Sequence, residues 1–319
     1  MSGGERASPA PLQRVTVVGG GGLMGHGIVL ACLQGSPDAQ VRMISRRKET
    51  LEHGMQLLRS GPFGLEKAIL KGKLSEEAMA QILARVHPSL SIAEGVADAQ
   101  LIFETVPEVV VRKHEVLREI EKAAPAQAII ATNTSSIMIA ELSAVMENRG
   151  RMLGTHWFYP SNIMPLVEVT RGDQTAAWAL DATVAYLRAI KKKPVVVNDS
   201  PGFFTTRFIN LYIAEAMRAV QQGICGIREV DEMVKTGLGW PMGVFELLDK
   251  TASFDSWYHA QEYLEETLGE RYAIPPMARK VFAAGYRGAP ELKPGSRGGW
   301  YDYFGLEQSG DKKQSGDKK

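Results

Sequence analysis

Short apolar runs and stretches of helical spacing alternate through the first two-thirds of the chain. Val15, Thr16, Val17 and Val18 lead directly into Gly19, Gly20, Gly21 and Gly22, the pattern of a buried strand entering a tight turn. From Met24 to Leu33 the spacing is helical, and Gln34, Gly35, Ser36 and Pro37 stop it before a second strand at 41–44. Further strands are predicted at 101–103, 128–131, 152–154, 166–169 and 194–198, with amphipathic helices at 113–122 and 176–190. Strand and helix in alternation imply a largely parallel sheet covered by helices. After the turn cluster Asp199, Ser200, Pro201 and Gly202, helical periodicity takes over, at 204–222, 227–236 and 257–268. The pattern predicts an α/β fold: a Rossmann-type doubly wound sheet with a second, mostly α-helical C-terminal domain. The expected divisions are a flexible arm (1–13), a nucleotide-binding domain (14–198), a helical domain (199–306) and a disordered tail (307–319). Gln-Ser-Gly-Asp-Lys-Lys occurs twice in that tail, at 308–313 and 314–319, without a residue that could build a core.

Composition narrows the function classes. An apolar fraction of 45% over 319 residues supports buried cores. A net charge of +1, from 37 basic and 36 acidic residues, argues against nucleic acid or an anionic membrane as partner. Cys32 and Cys225 are far apart and lack metal-ligand companions, so no disulfide framework and no metal site is expected, and both are read as buried apolar side chains. No signal peptide or membrane-spanning run is visible, which makes a cytoplasmic location the expectation.

Gly20-x-Gly22-x-x-Gly25 follows a predicted strand and opens a predicted helix. In that context the glycines allow a tight turn, close approach of a pyrophosphate and close packing of helix on sheet. Gly20, Gly22, Leu23, Met24 and Gly25 are the expected cofactor contacts; a glycine turn without ligand is the alternative. An NAD site normally ends its second strand with an acid on the ribose 2′-hydroxyl. Ser45, Arg46 and Arg47 stand there instead. A hydroxyl and two guanidinium groups favour the 2′-phosphate of NADP over NAD, unless the arginines only solvate a loop.

Asn133, Thr134, Ser135 and Ser136 follow one predicted strand, His156 follows another, and Glu168 lies on the next. A histidine can take a proton from a secondary alcohol as hydride leaves the same carbon, with a carboxylate fixing its tautomer. Ser135 would hold the substrate oxygen. Taken singly, a histidine so placed is more often a satisfied structural residue and such a serine more often a helix cap or turn residue, so spacing alone does not assign their roles.

Several ordered motifs resemble the short-chain 3-hydroxyacyl-CoA dehydrogenase family, with lambda-crystallin and carnitine dehydrogenase as more distant branches. They are the Gly20–Gly25 turn, Asn133-Thr134-Ser135-Ser136, His156 with Pro160, Leu166-Val167-Glu168-Val169 and Asp199-Ser200-Pro201-Gly202-Phe203. Later come the run from Gly239 through Leu247 and Gly298-Gly299-Trp300-Tyr301-Asp302-Tyr303. The resemblance spans 15–304. It implies a dimerising helical domain, a His156–Glu168 acid/base dyad, Ser135 at the substrate, and Glu108, Lys113 and Asn133 near the cofactor. Three departures stand out. Tyr159 and Thr206 replace two asparagines usual in the family, which implies a reshaped substrate pocket, with Trp157, Phe158 and Tyr159 read either as an aromatic wall or as ordinary core. The third is the Ser45-Arg46-Arg47 loop.

The expected activity is therefore a homodimeric, soluble oxidoreductase of fatty acid metabolism that interconverts a (3S)-3-hydroxyacyl-CoA and its 3-oxo form with NAD(P). Arg59, Lys67, Lys71 and Lys73 fall where the family has a helical lip for the CoA group, although exposed lysines also serve as a solvated face. The rival readings are a dehydrogenase of a free 3-hydroxy acid and a cofactor-binding protein without turnover.

Overall fold

The computed structural model describes residues 12–293 and 295–307; most of the predicted arm and nearly all of the predicted tail lie outside them. The chain divides into two units, one ending at Phe203 and one beginning at Phe204.

In the first unit, eight strands form one sheet: β1 (Arg14–Val18), β2 (Gln40–Ile44), β3 (Val86–Ser89), β4 (Leu101–Glu104), β5 (Ile129–Thr132), β6 (Met152–Trp157), β7 (Leu166–Arg171) and β8 (Lys193–Asn198). Their spatial order is β3-β2-β1-β4-β5-β6-β7-β8, and β1 to β6 run parallel with β1 near the centre. This is the strand order of a dinucleotide-binding sheet. β4 and β5 are buried at every position, as parallel strands covered on both faces must be. Helices α1 (Leu23–Gly35), α2 (Lys48–Ser60), α3 (Leu65–Leu70), α4 (Glu76–Leu83), α5 (Ile92–Val96), α6 (Val110–Ala123), α7 (Ile139–Ser143) and α8 (Ala177–Ala189) connect and cover it. The core runs from Val15, Val17 and Ile28 through Phe103 to Trp157, Val167 and Leu187.

Two expectations change. β6 continues past the predicted end at Gly154 to Trp157, so His156 sits inside a strand. β7 is antiparallel to β6, with His156 directly opposite Glu168. The reversal follows from the short 158–165 connection, because a parallel return would need a crossover of a dozen or more residues.

The second unit is helical: α9 (Thr205–Gln221), α10 (Ile227–Leu238), α11 (Val244–Lys250), α12 (Phe254–Leu268), α13 (Pro276–Ala283) and α14 (Trp300–Tyr303). Phe245, Leu248, Phe254, Trp257 and Trp300 form its centre. Two buried carboxylates hold helix starts together there. Asp231 accepts from the N–H groups of Phe245 and Glu246, at 2.8 and 2.9 Å, and from the Tyr301 hydroxyl at 2.9 Å. Asp249 accepts from the N–H groups of Trp300 and Tyr301, at 2.7 and 3.0 Å. A Cβ at Gly243 or Gly299 would collide with these carboxylates. The glycine-rich motifs around 239–247 and 298–303 are thus capping hardware. Of the cysteines, Cys32 is buried as expected, whereas Cys225 is partly exposed, because it lies in the turn that precedes α10.

Asp231→Ala removes two cap bonds and strands a buried phenol. It should cost about 2–4 kcal/mol of unfolding free energy, measured by urea denaturation; a loss near zero would show the caps to be dispensable.

Candidate active site

β1 delivers the chain into Gly19, which takes a left-handed φ of 86°. The N–H groups of Gly19 and Gly20 share the carbonyl of Ile44, at 2.9 and 2.8 Å, which locks the turn to the end of β2. A Cβ at Gly20 would lie 2.7 Å from Met43 Cγ and 2.9 Å from Val17 O, and one at Gly25 would run into Gly19 O. Gly25 therefore lets α1 begin hard against the turn. Gly22, the N-cap, contributes no side chain, and the first turn holds no acid. Among the described residues, the N–H groups of Leu23, Met24 and Gly25 therefore have neither an intrahelical nor a side-chain acceptor. A glycine cradle at the positive end of a helix fits a pyrophosphate.

Ser45 is buried, and its Oγ accepts from Gly21 N–H at 3.0 Å. The serine is thus part of the cradle. Arg46 and Arg47 are exposed at the start of α2, and among the described residues neither has a carboxylate partner.

At the same carboxyl edge of the sheet, His156 and Glu168 are 7% and 2% exposed. His156 Nδ1 lies 3.1 Å from Glu168 Oε2. Opposed residues of an antiparallel pair present their side chains on one face, so strand register alone brings imidazole and carboxylate together. Phe158 packs on the imidazole at a centroid distance of 4.5 Å, and Phe203 lies at 6.4 Å. The adjoining strand end is tied in through Asn133, whose Oδ1 accepts from Trp157 N–H at 3.0 Å.

Beside it lies a charge cluster. Lys113 is fully buried, with Nζ donating to Glu104 Oε1 and Oε2 at 3.1 and 3.0 Å and lying 3.5 Å from Glu108 Oε2. Thr132 Oγ1 donates to Glu104 Oε2 at 2.6 Å. Burial opposes charge on both Glu108 and Lys113. For Glu108, Lys113 and hydrogen bonds from Thr134, Ser135 and Ser136 outweigh burial and hold its carboxyl below the usual range. For Lys113, the two glutamates outweigh it and hold the ammonium above its usual value. Glu108 Oε1 accepts from Thr134 Oγ1 at 2.6 Å and from Ser135 N–H at 2.8 Å, which fixes the 133–136 loop. Among the described residues the Ser135 hydroxyl forms no hydrogen bond of its own.

The 158–165 loop bears Tyr159, half-buried, before a cis bond to Pro160. Its ring meets Phe63 edge-on at 5.7 Å. Trp157 does not belong to the expected aromatic wall; it is 2% exposed and packs edge-on to Phe103 at 5.5 Å, because the lengthened β6 turns it into the core. Thr206 is buried in the first turn of α9, in the second unit. Of the basic residues on α2 to α4 and their turns, Arg59 pairs with Glu66 at 3.2 Å, while Lys67, Lys71 and Lys73 are exposed.

Sequence reading overlooked Glu104, Phe63 and Lys192. Glu104 was detectable as an acid ending the apolar run Leu101-Ile102-Phe103, nine positions before a lysine. Phe63 lies in a turn with no such signal. Among the described residues, no group of His, Cys, Asp or Glu could hold a metal ion and no helix is long and apolar enough to cross a membrane.

Sequence comparison gives these features a family. Residues 14–200 match the NAD binding domain of 3-hydroxyacyl-CoA dehydrogenase, and 202–303 match its C-terminal domain. The fatty acid oxidation complex subunit alpha of Pseudomonas aeruginosa is 34% identical over 262 residues, which is 82% of this chain and 35% of that protein. The chain thus spans about a third of the length of the curated relatives it matches. Among solved structures, (S)-3-hydroxybutyryl-CoA dehydrogenase from Ralstonia eutropha is 32% identical with a TM-score of 0.78, over 87% of this chain and 95% of that one. M. tuberculosis FadB2 is 28% identical with a TM-score of 0.80, over 88% and 96%. The NAD+-dependent 5-formyl-3-hydroxy-2-methylpyridine 4-carboxylic acid 5-dehydrogenase is 26% identical with a TM-score of 0.69, over 87% and 88%. With both domains matched in order, the chain belongs to the 3-hydroxyacyl-CoA dehydrogenase family of oxidoreductases and carries its nicotinamide-binding domain.

Proposed function

We propose that this protein interconverts a (3S)-3-hydroxyacyl-CoA and its 3-oxo form, with NADP(H) preferred and His156 as the acid/base. The 3.1 Å approach of His156 Nδ1 to Glu168, at the sheet edge that carries the glycine cradle, is the observation that supports it most. A bound nicotinamide supplies or accepts the hydride at the 3-carbon. With Nδ1–H donated to Glu168, proton exchange with the 3-oxygen falls to Nε2, and the carboxylate stabilises the imidazolium that forms. In reduction, His156 starts protonated and releases its proton to the carbonyl oxygen. The Ser135 hydroxyl aligns that oxygen, Asn133 and the Glu108–Lys113 cluster hold the loop that presents Ser135, and Leu23, Met24 and Gly25 bind the pyrophosphate.

Arg46 and Arg47, exposed and without carboxylate partners among the described residues, beside a second strand that lacks the ribose-binding acid, support the 2′-phosphate assignment. Lys67, Lys71 and Lys73 are suited to the CoA phosphates. Residues 14–198 form the nucleotide-binding domain in this reading, and the helical domain, 199–306, pairs two copies in the cytoplasm. A second reading, a dehydrogenase of a free and more aromatic hydroxy acid, draws on the Tyr159–Phe63 contact and on the pyridine carboxylate named in one structural relative.

His156→Gln should lower turnover of acetoacetyl-CoA by about 10²–10⁴-fold while NADPH binding changes little; turnover at the wild-type rate would remove the proposed base. In a comparison of coenzymes, kcat/KM for NADPH should exceed that for NADH. Arg46→Ala with Arg47→Ala should lower the NADPH value about 10–100-fold and spare NADH. An equal loss with both coenzymes would contradict the phosphate assignment.

A further inference from the structure

The 158–165 loop is secured from several sides. Asn162 Nδ2 donates to Phe63 O at 3.0 Å, and a Cβ at Gly27 of α1 would lie 3.1 Å from Ser161 Cβ, so the loop rests on the helix that opens the cofactor cradle. A further tether carries a charge. Lys192, 7% exposed, donates from Nζ to Ser161 O at 2.7 Å and to Met164 O at 2.9 Å, and the ammonium stands 5.5 Å from the centroid of the Trp157 ring. An ammonium bonded to two carbonyls of one short loop fixes the distance between them, and charge-assisted bonds are about twice as strong as neutral ones.

We infer that Lys192 is a positioning residue for substrate in the reaction proposed above, its ammonium holding the loop that carries Tyr159 and sets Phe158 against the His156 ring. The inference rests on that reading of the site but assigns Lys192 no step in proton or hydride transfer. Burial lowers Lys192 to about 8, within reach of ordinary assay conditions. Among the described residues the titratable group acting on it is Cys32 on α1, which is itself hydrogen-bonded with Tyr186 on α8. Burial pushes the Cys32 thiol up to about 12 and the Tyr186 phenol well above its usual value, so both stay neutral between pH 7 and 10, and Lys192 alone in this group changes charge.

A purely structural role predicts a different pH dependence. Lys192 binds its proton less tightly in the folded state than in the unfolded one, so the unfolded state holds more protons between pH 8 and the ordinary lysine value. Stability should then rise across that window. Substrate positioning should weaken across the same window, because the neutral amine holds the two carbonyls less firmly.

The test measures kcat/KM for oxidation of (S)-3-hydroxybutyryl-CoA by NADP+ from pH 6.5 to 10, in the direction that needs His156 unprotonated. The wild type should bend downward near pH 8 without loss of melting temperature. Lys192→Met should lower kcat/KM about 10–100-fold at pH 7, chiefly through KM, with no bend near pH 8. Lys192→Arg keeps a permanent charge, and should recover most of the KM and move the bend upward. Amide exchange in 158–164 should accelerate in Lys192→Met at fixed pH. A bend near pH 8 that persists in Lys192→Met would overturn the inference, as would unchanged loop exchange or an unchanged KM. A wild type without thioester turnover would instead defeat the substrate assignment, with loop exchange still deciding whether Lys192 pins the loop.

Discussion

The pairing of β6 with β7 in antiparallel register is the constraint on which the site depends. It places His156 opposite Glu168 and delivers a 3.1 Å contact that no side-chain search has to find. The short 158–165 connection compels the reversal, and the same segment then lies beside the imidazole, carrying Phe158 and Tyr159. Strand direction, the His156–Glu168 contact and the placement of Phe158 are therefore one solution to one connection length. The tethers on the loop matter for the same reason: if it shifted, the Phe158 ring packed on His156 would shift with it.

The first unit builds two further supports from buried polarity. Ser45 closes the glycine turn by accepting from Gly21 N–H, so the residue that replaces the usual acid still has structural work in the cradle. Glu104, Lys113 and Glu108 share charge beneath the 133–136 loop. Glu104 and Lys113, fully buried, persist as ions because they are paired and hydrogen-bonded, with the half-buried Glu108 beside them; removing one of the buried partners would leave the other uncompensated. In the second unit, Asp231 and Asp249 apply the same principle to helix starts.

Much of this was legible in the sequence where the signal was strong. β1 and its glycine turn stood out because β-branched residues run into glycines; Ser135 and His156 drew notice as polar residues after predicted strands and Glu168 as an acid within an apolar run, but their joint role came from the resemblance to the family. β3 was missed because Val86-His87-Pro88-Ser89 has a proline and no alternation, yet an edge strand needs only one pairing neighbour and tolerates it. The true length of β6 was obscured by His156 and Trp157, which turned one residue to the dyad and the other to the core. Phe63 and Lys192 act through tertiary contacts, Phe63 with the distant Tyr159 and Asn162 and Lys192 with backbone carbonyls of the 158–165 loop, which leave no local pattern.

The most direct test of the central claim is the steady-state rate of Glu168→Gln, which preserves shape and removes the charge proposed to orient His156. The account predicts a loss of kcat of about 10²–10⁴-fold, with melting temperature and coenzyme affinity close to wild type. A variant that retained the wild-type kcat would contradict it, and would leave the cross-strand pair as a structural contact alone.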